Sequence, residues 1–383
     1  MTQTTWTSRT PWPSPSELLL LQAALLEGDP ALRAWRRFCS SETGVEDLSY
    51  GAYRLLPQLW RTLRTLDPEN PALGRLKGAY RHAWYANQQL LNAAANAIAL
   101  LQAEGIDVML LKGAALVALY LPDVGLRPMD DVDILVRPDD APKSLRILRA
   151  NGWEPEDCHS IEQIMRSQHA IELCGSGRAK LDLHWSALHP WSCDTLLWDG
   201  AIPVSLRGVP VHAPNATEQL LVALAHGLGW NPAPVRWITD AMLIMRAAGD
   251  RVDWQYLVGR ARTLHVTLEL AAALDFLRRE FSLRIPDHVE YELRSGPVGA
   301  GERVRYRVKS SAPRQGPLWK IIWSAAIDWD VACRLAAAPA TVVGHPEGTL
   351  DFLRERHGLR TRRAVVTRAV RVAMSWLRPA ATS

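Results

Sequence analysis

Two aspartates with one residue between them are the side chains best suited to chemistry in this sequence. Asp131 and Asp133 begin an apolar run that ends at Val136, and strand alternation places both carboxylates on the same face. Two like charges this close repel each other and need a compensating cation. Hard carboxylate oxygens suit Mg²⁺. We therefore expect a divalent-metal site here, with Mg²⁺ as the predicted ion and Mn²⁺ as the alternative.

A third carboxylate lies on a later predicted strand. In residues 180–185, alternation puts Lys180, Asp182 and His184 on one face and apolar side chains on the other. If this strand lies beside the first, Asp182 joins the other two carboxylates. His184 is then expected either to face a substrate or to support the carboxylates. A hydrogen-bonded structural histidine is the other interpretation.

The motifs together resemble a stand-alone bacterial nucleotidyltransferase family usually labelled uncharacterised, a branch of the DNA polymerase beta-like superfamily. The resemblance rests on Leu111-Lys-Gly113, on Arg127-Pro-Met-Asp-Asp131-Val-Asp133-Ile-Leu-Val136, and on Leu181-Asp182-Leu-His184-Trp185. It continues into Arg236-Trp-Ile-Thr-Asp240 and Asp253-Trp254, so it covers roughly residues 76–280.

This resemblance implies an enzyme that moves a nucleoside monophosphate from an NTP to an acceptor hydroxyl and releases pyrophosphate. It also implies Mg²⁺, with Asp131, Asp133 and Asp182 as metal ligands and catalytic residues. Asp182 is expected to lie nearest the acceptor hydroxyl and to assist its deprotonation. The acceptor stays open among a small molecule, a protein or peptide side chain, and an RNA end.

The resemblance places the triphosphate at the N-terminus of the helix that Gly113 opens, where backbone N–H groups are exposed. The superfamily's usual Gly-Ser is Gly113-Ala114 here, so a phosphate-binding hydroxyl is missing. Lys112 and Arg127 are predicted to supply cations instead, with His184 as a further nucleotide-binding candidate. Lys112 could also be an ordinary surface lysine at a strand end.

Helical spacing suggests a local ion pair further along the chain. Arg236 and Asp240 are four residues apart on one predicted helix, and side chains at that spacing are neighbours. A pairing between them is therefore the simplest interpretation of both residues.

The predicted fold is α+β, with a small mixed β-sheet core embedded in a mostly helical chain. The pattern of apolar residues and breakers divides the chain into four regions. These are a helical N-terminal region at 1–105, the α/β nucleotidyltransferase core at 106–213, a helical region packing on the core at 214–283, and a C-terminal irregular segment with basic helices at 284–383.

Composition excludes several classes of protein. The five cysteines are scattered and form no CxxC pair, which argues against a disulfide framework or a cysteine zinc site and favours the cytoplasm. No signal peptide, no transmembrane segment and no integral membrane association are expected. A P-loop, G-x-S-x-G and G-x-G-x-x-G are all missing, which removes the commonest competing nucleotide enzymes.

Two other kinds of protein remain compatible with the sequence. One is a degenerate nucleotide-binding module without turnover, which the missing serine would allow. The other is a nucleic-acid-binding or partner-binding regulator that uses its basic C-terminus, where residues 351–383 hold eight arginines and two acidic residues. A solvated helix face would also explain that charge, so nucleic acid as a partner is left open.

Overall fold

The computed structural model describes residues 12–41, 48–155, 168–188, 194–229, 235–310, 349–356 and 359–368. The helices before the sheet are α1 (Pro15–Leu25), α2 (Gly28–Cys39), α3 (Tyr50–Tyr53), α4 (Leu56–Leu66) and α5 (Leu73–Ala103). Those within the core are α6 (Lys112–Tyr120), α7 (Ala141–Ala150) and α8 (Thr195–Asp199). After the sheet come α9 (Ala216–Gly229), α10 (Arg236–Ala248), α11 (Trp254–Thr263), α12 (Thr267–Phe281), α13 (Asp287–Ser295), α14 (Ala300–Ser310) and α15 (Thr349–Arg356).

The described strands form one seven-stranded sheet, and the α+β class is confirmed. The strands are β1 (Met109–Leu110), β2 (Val132–Leu135), β3 (Glu154–Pro155), β4 (Ala170–Cys174), β5 (Lys180–His184), β6 (Ile202–Leu206) and β7 (Val209–Ala213). Their order across the sheet is β3-β4-β5-β2-β1-β7-β6. The sheet is mixed because β2 runs parallel to β5 and antiparallel to β1, while β4–β5 and β6–β7 are antiparallel hairpins.

The two faces of the sheet have different environments, as the alternation of side chains requires. Val132 and Ile134 belong to a hydrophobic cluster that includes residues of α5 and α7. On the other face, Leu135 packs with Leu111 and with Val222 of α9. Asp133 shares this second face, so its carboxylate points toward the helices that follow the sheet.

The helices before and after the sheet share a hydrophobic core. Leu20 and Leu59 from the N-terminal helices belong to the same buried cluster as Leu220 and Ile238 from α9 and α10. The predicted division into four regions stays a prediction, because hydrophobic packing continues from the first region into the third. None of the helices in the described ranges is both long enough and apolar enough to cross a membrane.

The contact between α9 and α10 is close because position 227 is glycine. A Cβ atom on Gly227 would lie 2.1 Å from the Cβ atom of Trp237 and 2.5 Å from its Cγ atom. Trp237 is buried and packs in the shared core, so its ring has little space into which it can move.

We predict that Gly227→Ala lowers the free energy of unfolding by about 1–3 kcal/mol, because overpacking must displace either the ring or a helix. The matched control is Gly78→Ala in α5, where an added Cβ meets nothing within 4 Å. That change should stabilise the protein by about 0.5–1 kcal/mol through helix propensity. Urea denaturation of the two variants checks both signs, and equal effects would show that the α9–α10 contact is not tight.

Candidate active site

Two carboxylates meet because of the strand register. Asp133 on β2 and Asp182 on the parallel neighbour β5 are directly paired, so their side chains leave the same face side by side. His184 lies two residues after Asp182 on the same face, and its Nε2 atom is 3.1 Å from Asp133 Oδ1 and 3.0 Å from Asp182 Oδ2. One ligand atom from each of these three side chains lies within 4.8 Å of the others.

The His184 ring bridges the two carboxylates as an imidazolium. Its Nδ1 atom lies 3.2 Å from the backbone oxygen of Ser186, so both ring nitrogens face acceptors and both must donate. Burial and Lys112 oppose its protonation, but the carboxylates of Asp182 and Asp133 outweigh them and raise the pKa of His184 to about 9. The ring is fully buried, and its contacts are with the carboxylates. Binding of a nucleotide by His184 stays a prediction.

Lys112 supplies a second positive charge. The backbone N–H of Leu111 donates to the carbonyl of Asp133 at 2.9 Å, which brings the next residue beside that carboxylate. Lys112 Nζ then lies 2.6 Å from Asp133 Oδ1. Burial would raise the pKa of Asp133, but Lys112 and His184 lower it well below its usual range, so the carboxylate stays charged.

Lys112 has a backbone conformation that residues other than glycine rarely adopt. Its φ is 42°, in the left-handed region, at the point where β1 passes into α6. Such a conformation costs on the order of 1–3 kcal/mol and persists only where surrounding contacts impose it. The ion pair with Asp133 is one such contact.

The other two predicted carboxylates lie in different environments. Asp131 stands just before β2, outside the close group, but it lines the same cavity as Asp133. Burial and the Asp133 charge raise the pKa of Asp131, although Arg236 and Lys112 oppose them. Burial also acts to raise the pKa of Asp182, but His184 outweighs it and lowers that pKa, so the carboxylate is charged. The catalytic and metal-binding roles stay predictions.

Arg127 is held by a partner that helical spacing did not indicate. Its Nε atom donates to Asp240 Oδ1 at 2.8 Å, and its Nη2 atom donates to Oδ2 at 2.7 Å. Asp240 therefore pairs with Arg127 rather than with Arg236. Both side chains of this ion pair are buried. The prediction that Arg127 binds a triphosphate remains untested, and its guanidinium is committed to this carboxylate in the structure.

Gly113 lies directly under the Arg127 guanidinium. A Cβ atom at position 113 would be 2.1 Å from Arg127 Nη1 and 2.9 Å from its Cζ atom. The residue after Lys112 must therefore be glycine if the arginine is to cross the start of α6. The first turn of that helix has no side-chain cap, and its residues Lys112 and Gly113 line the adjoining cavity.

Asn87 is a positioning residue that the sequence analysis missed. It is fully buried on α5, where its Nδ2 atom donates to the carbonyls of Val124 and Arg127 at 2.7 and 2.8 Å. Its Oδ1 atom accepts from the backbone N–H of Met129 at 3.1 Å. The signal was a lone amide on an otherwise apolar helix face, and such a residue usually satisfies buried backbone groups.

Residues near the N-terminal helices also bind the loop before β2, at Pro128 and Asp130. Arg54 donates to the carbonyl of Pro128 at 2.7 Å and also forms an ion pair with Asp130. Tyr50 donates to Asp130 Oδ1 at 2.6 Å. Asp130 therefore anchors the loop and takes no part in the group around Asp133.

A cavity that holds about 680 Å³ of space, open solvent included, lies beside Asp131 and Asp133. The α/β core lines one part of the cavity, with Lys112, Gly113, Asp131 and Asp133. Helices α9 and α10 line another part, with Gln219, His226, Arg236 and Trp237. Burial lowers the pKa of His226 to about 3, with Lys112 adding to the effect. The histidine is therefore neutral at physiological pH.

The donor set fits a divalent metal ion. Asp133 and Asp182 offer hard oxygen atoms close together, and the nearby Asp131 adds a third carboxylate. His184 could add a nitrogen ligand, but only after it has lost a proton, because a ligating imidazole must be neutral at that nitrogen. Among the described residues, this is the one group of such side chains close enough to share an ion.

We predict that Gly113→Ala costs about 1–3 kcal/mol of stability, since its Cβ forces Arg127 away from Asp240. In an Arg127→Ala background the same change should cost much less, because the two nearest atoms that the Cβ meets are gone and only Met129 Sδ, at 3.1 Å, remains. Urea denaturation of the four proteins in this double-mutant cycle gives the coupling energy. Additive effects would contradict the contact.

A second prediction concerns His184 in metal-free protein. Its pKa is raised from 6.5 to about 9 on folding, so protonation stabilises the folded state. That contribution is complete below pH 6.5 and is lost as the pH rises through about 9. The difference in free energy of unfolding between wild type and His184→Gln, measured with EDTA present, should therefore shrink over this interval. A constant difference would contradict the raised pKa of His184.

Comparisons with known proteins identify the family of this chain. None of the functionally curated proteins matches the chain. Among solved structures, the antibiotic-resistance factor ANT(2'')-Ia is similar, with 16% identity, 48% of this chain and 96% of that chain covered, and a TM-score of 0.36. A family profile described as "Uncharacterised nucleotidyltransferase" matches residues 51–282, more than half of the chain, and the protein belongs to that nucleotidyltransferase family.

Proposed function

We propose that this nucleotidyltransferase moves a nucleoside monophosphate from an NTP to an acceptor hydroxyl in an Mg²⁺-dependent reaction that releases pyrophosphate. The observation that carries the proposal is the direct pairing of Asp133 with Asp182 on parallel strands, beside a cavity that the start of α6 also lines. A module that only binds nucleotides has no need for clustered carboxylates, and their retention favours turnover.

Asp133 and Asp182 would hold the metal, with Asp131 as the neighbouring carboxylate. Mg²⁺ is the proposed ion and Mn²⁺ the alternative, since both prefer oxygen ligands. When bound, a divalent ion neutralises phosphate charge and polarises the phosphoryl group under attack. Lys112 already neutralises part of the Asp133 charge, and this lowers the net negative charge that a polyanionic substrate meets.

The uncapped start of α6 would bind part of the triphosphate through its backbone N–H groups. Ala114 offers no hydroxyl there, so the amides and nearby cations must do this work. Lys112 stands at that turn and is only partly buried, with 17% of its side chain exposed. It can therefore reach both Asp133 and a phosphate oxygen in the cavity.

The transfer step needs an attacking oxygen, a leaving group and a path for one proton. The acceptor oxygen forms a bond to the α-phosphorus as the bond from that phosphorus to the bridging oxygen breaks. Pyrophosphate leaves with the electron pair, and the hydroxyl proton passes toward Asp182 and then to solvent. Asp182 is placed for this because 24% of its side chain is exposed, against 7% for Asp133.

We further propose that the enzyme acts in the cytoplasm. Cys39 is a free thiol within the described part of the chain, which is compatible with a reducing compartment. A small molecule, a protein or peptide side chain, and an RNA end all present the hydroxyl that the reaction requires.

We predict that wild-type protein with Mg²⁺ and one of the four α-³²P NTPs labels a component of a cell extract. Asp133→Asn and Asp182→Asn should each lower labelling by roughly 100-fold or more, because a metal ion contributes several kcal/mol to such a step. The matched control is Asp139→Asn, an exposed carboxylate just after β2, which should label like wild type.

Asp133→Asn should also lower the melting temperature of metal-free protein, because Lys112 and His184 would lose their counter-charge. Circular dichroism confirms that the variant is folded before its activity is compared. Full labelling by folded Asp133→Asn, or no labelling by wild type with any of the four NTPs, would contradict the proposed function.

A further inference from the structure

Arg236 is a cation without a bonded counter-ion in the described part of the chain. It is the first residue of α10, and its guanidinium makes no hydrogen bond or ion pair with another described residue. The neighbouring arginines differ in this respect, because Arg127 is bound to Asp240 and Arg54 to Asp130. Arg236 is partly buried, and it lines the cavity beside Asp131 and Asp133.

The electrostatic surroundings of Arg236 call for an anion. Burial lowers its pKa, the charges of Arg127 and Arg54 lower it further, and Asp240 and Asp131 only partly oppose them. An arginine nevertheless stays protonated in proteins. Three guanidinium groups therefore lie close together, and one of them has its hydrogen-bond donors free.

The position of Arg236 shows which anion would reach it. It lines the same cavity as Lys112, Gly113 and Asp133, but from the opposite wall, which α10 provides. An α-phosphate that reacts near Asp133 and Asp182 must lie against the sheet. The rest of a triphosphate then extends into the cavity, where α10 forms the facing wall.

We propose that Arg236 binds the terminal phosphates of the NTP, and that Arg127 is a positioning residue that sets the start of α10 over the cavity through Asp240. This assignment rests on the proposed function. A guanidinium offers two parallel N–H donors to a phosphate, which matches the free donors of Arg236. The same donors in Arg127 are already taken by Asp240.

The test compares NTP and NMP binding by isothermal titration with Mg²⁺ present. The ligands are the α,β-methylene analogues of the four NTPs and the corresponding NMPs, and the analogue that binds wild type most tightly is carried forward. The variants are Arg236→Gln, which removes the charge, and Arg236→Lys, which keeps the charge but lacks the two parallel N–H donors of a guanidinium. The matched control is Arg246→Gln, which removes an arginine from the same helix at a position that lines a different cavity.

Arg236→Gln should bind the NTP analogue about 10- to 100-fold more weakly than wild type, the loss expected for one charged hydrogen-bonding group. Its affinity for the NMP should change by less than about twofold. Arg236→Lys should give an intermediate loss for the NTP alone, and Arg246→Gln should bind both ligands like wild type.

Unchanged NTP affinity in Arg236→Gln, or an equal loss for NTP and NMP, overturns the assignment while the proposed function stands. Thermal melting identifies a variant that has failed to fold, and in that case Arg236→Lys decides by the same two criteria. If wild type binds none of the four analogues, the proposed function falls and the assignment falls with it.

Discussion

The buried ion pair between Arg127 and Asp240 connects two parts of the chain that are 113 residues apart. Such a pair contributes little net stability over an apolar replacement, but breaking it strands a buried charge at a cost of about 3–5 kcal/mol. Its main effect is therefore geometric. It ties the loop before β2 to α10, requires glycine at position 113 and brings the start of α10 to the cavity wall.

Mutual repulsion between the carboxylates of Asp133 and Asp182 is a second constraint on the structure. Direct pairing of Asp133 with Asp182 places two negative charges on adjacent strands of one sheet. The protein compensates with His184 from β5 and Lys112 from the start of α6, so the site is ordered before any metal binds. Metal binding then competes with the proton on His184 and with the ammonium group of Lys112, because a proton can be lost to solvent and a lysine side chain can rotate away.

The sequence predicts what depends on local periodicity. Alternation of period two correctly placed Asp182 and His184 on one face of a strand, which is now β5. The register of β2 against β5 could not be derived, since it depends on contacts between distant segments. Asn87 was missed for the same reason, because its three hydrogen bonds go to a loop about 40 residues away.

Arg127 and Arg236 show most clearly where a prediction from local sequence spacing fails. Spacing along α10 favoured a pair between Arg236 and Asp240, but a bidentate, fully desolvated partner outcompetes an i,i+4 neighbour, whose contribution is only about 0.2–0.5 kcal/mol. Asp240 can satisfy one guanidinium with both oxygens, and Arg127 takes both. The charge that remains unmatched lies on α10, facing the cavity. At a helix start with alanine in place of serine, phosphate contacts must come from beyond that turn, and the free guanidinium stands on the wall opposite.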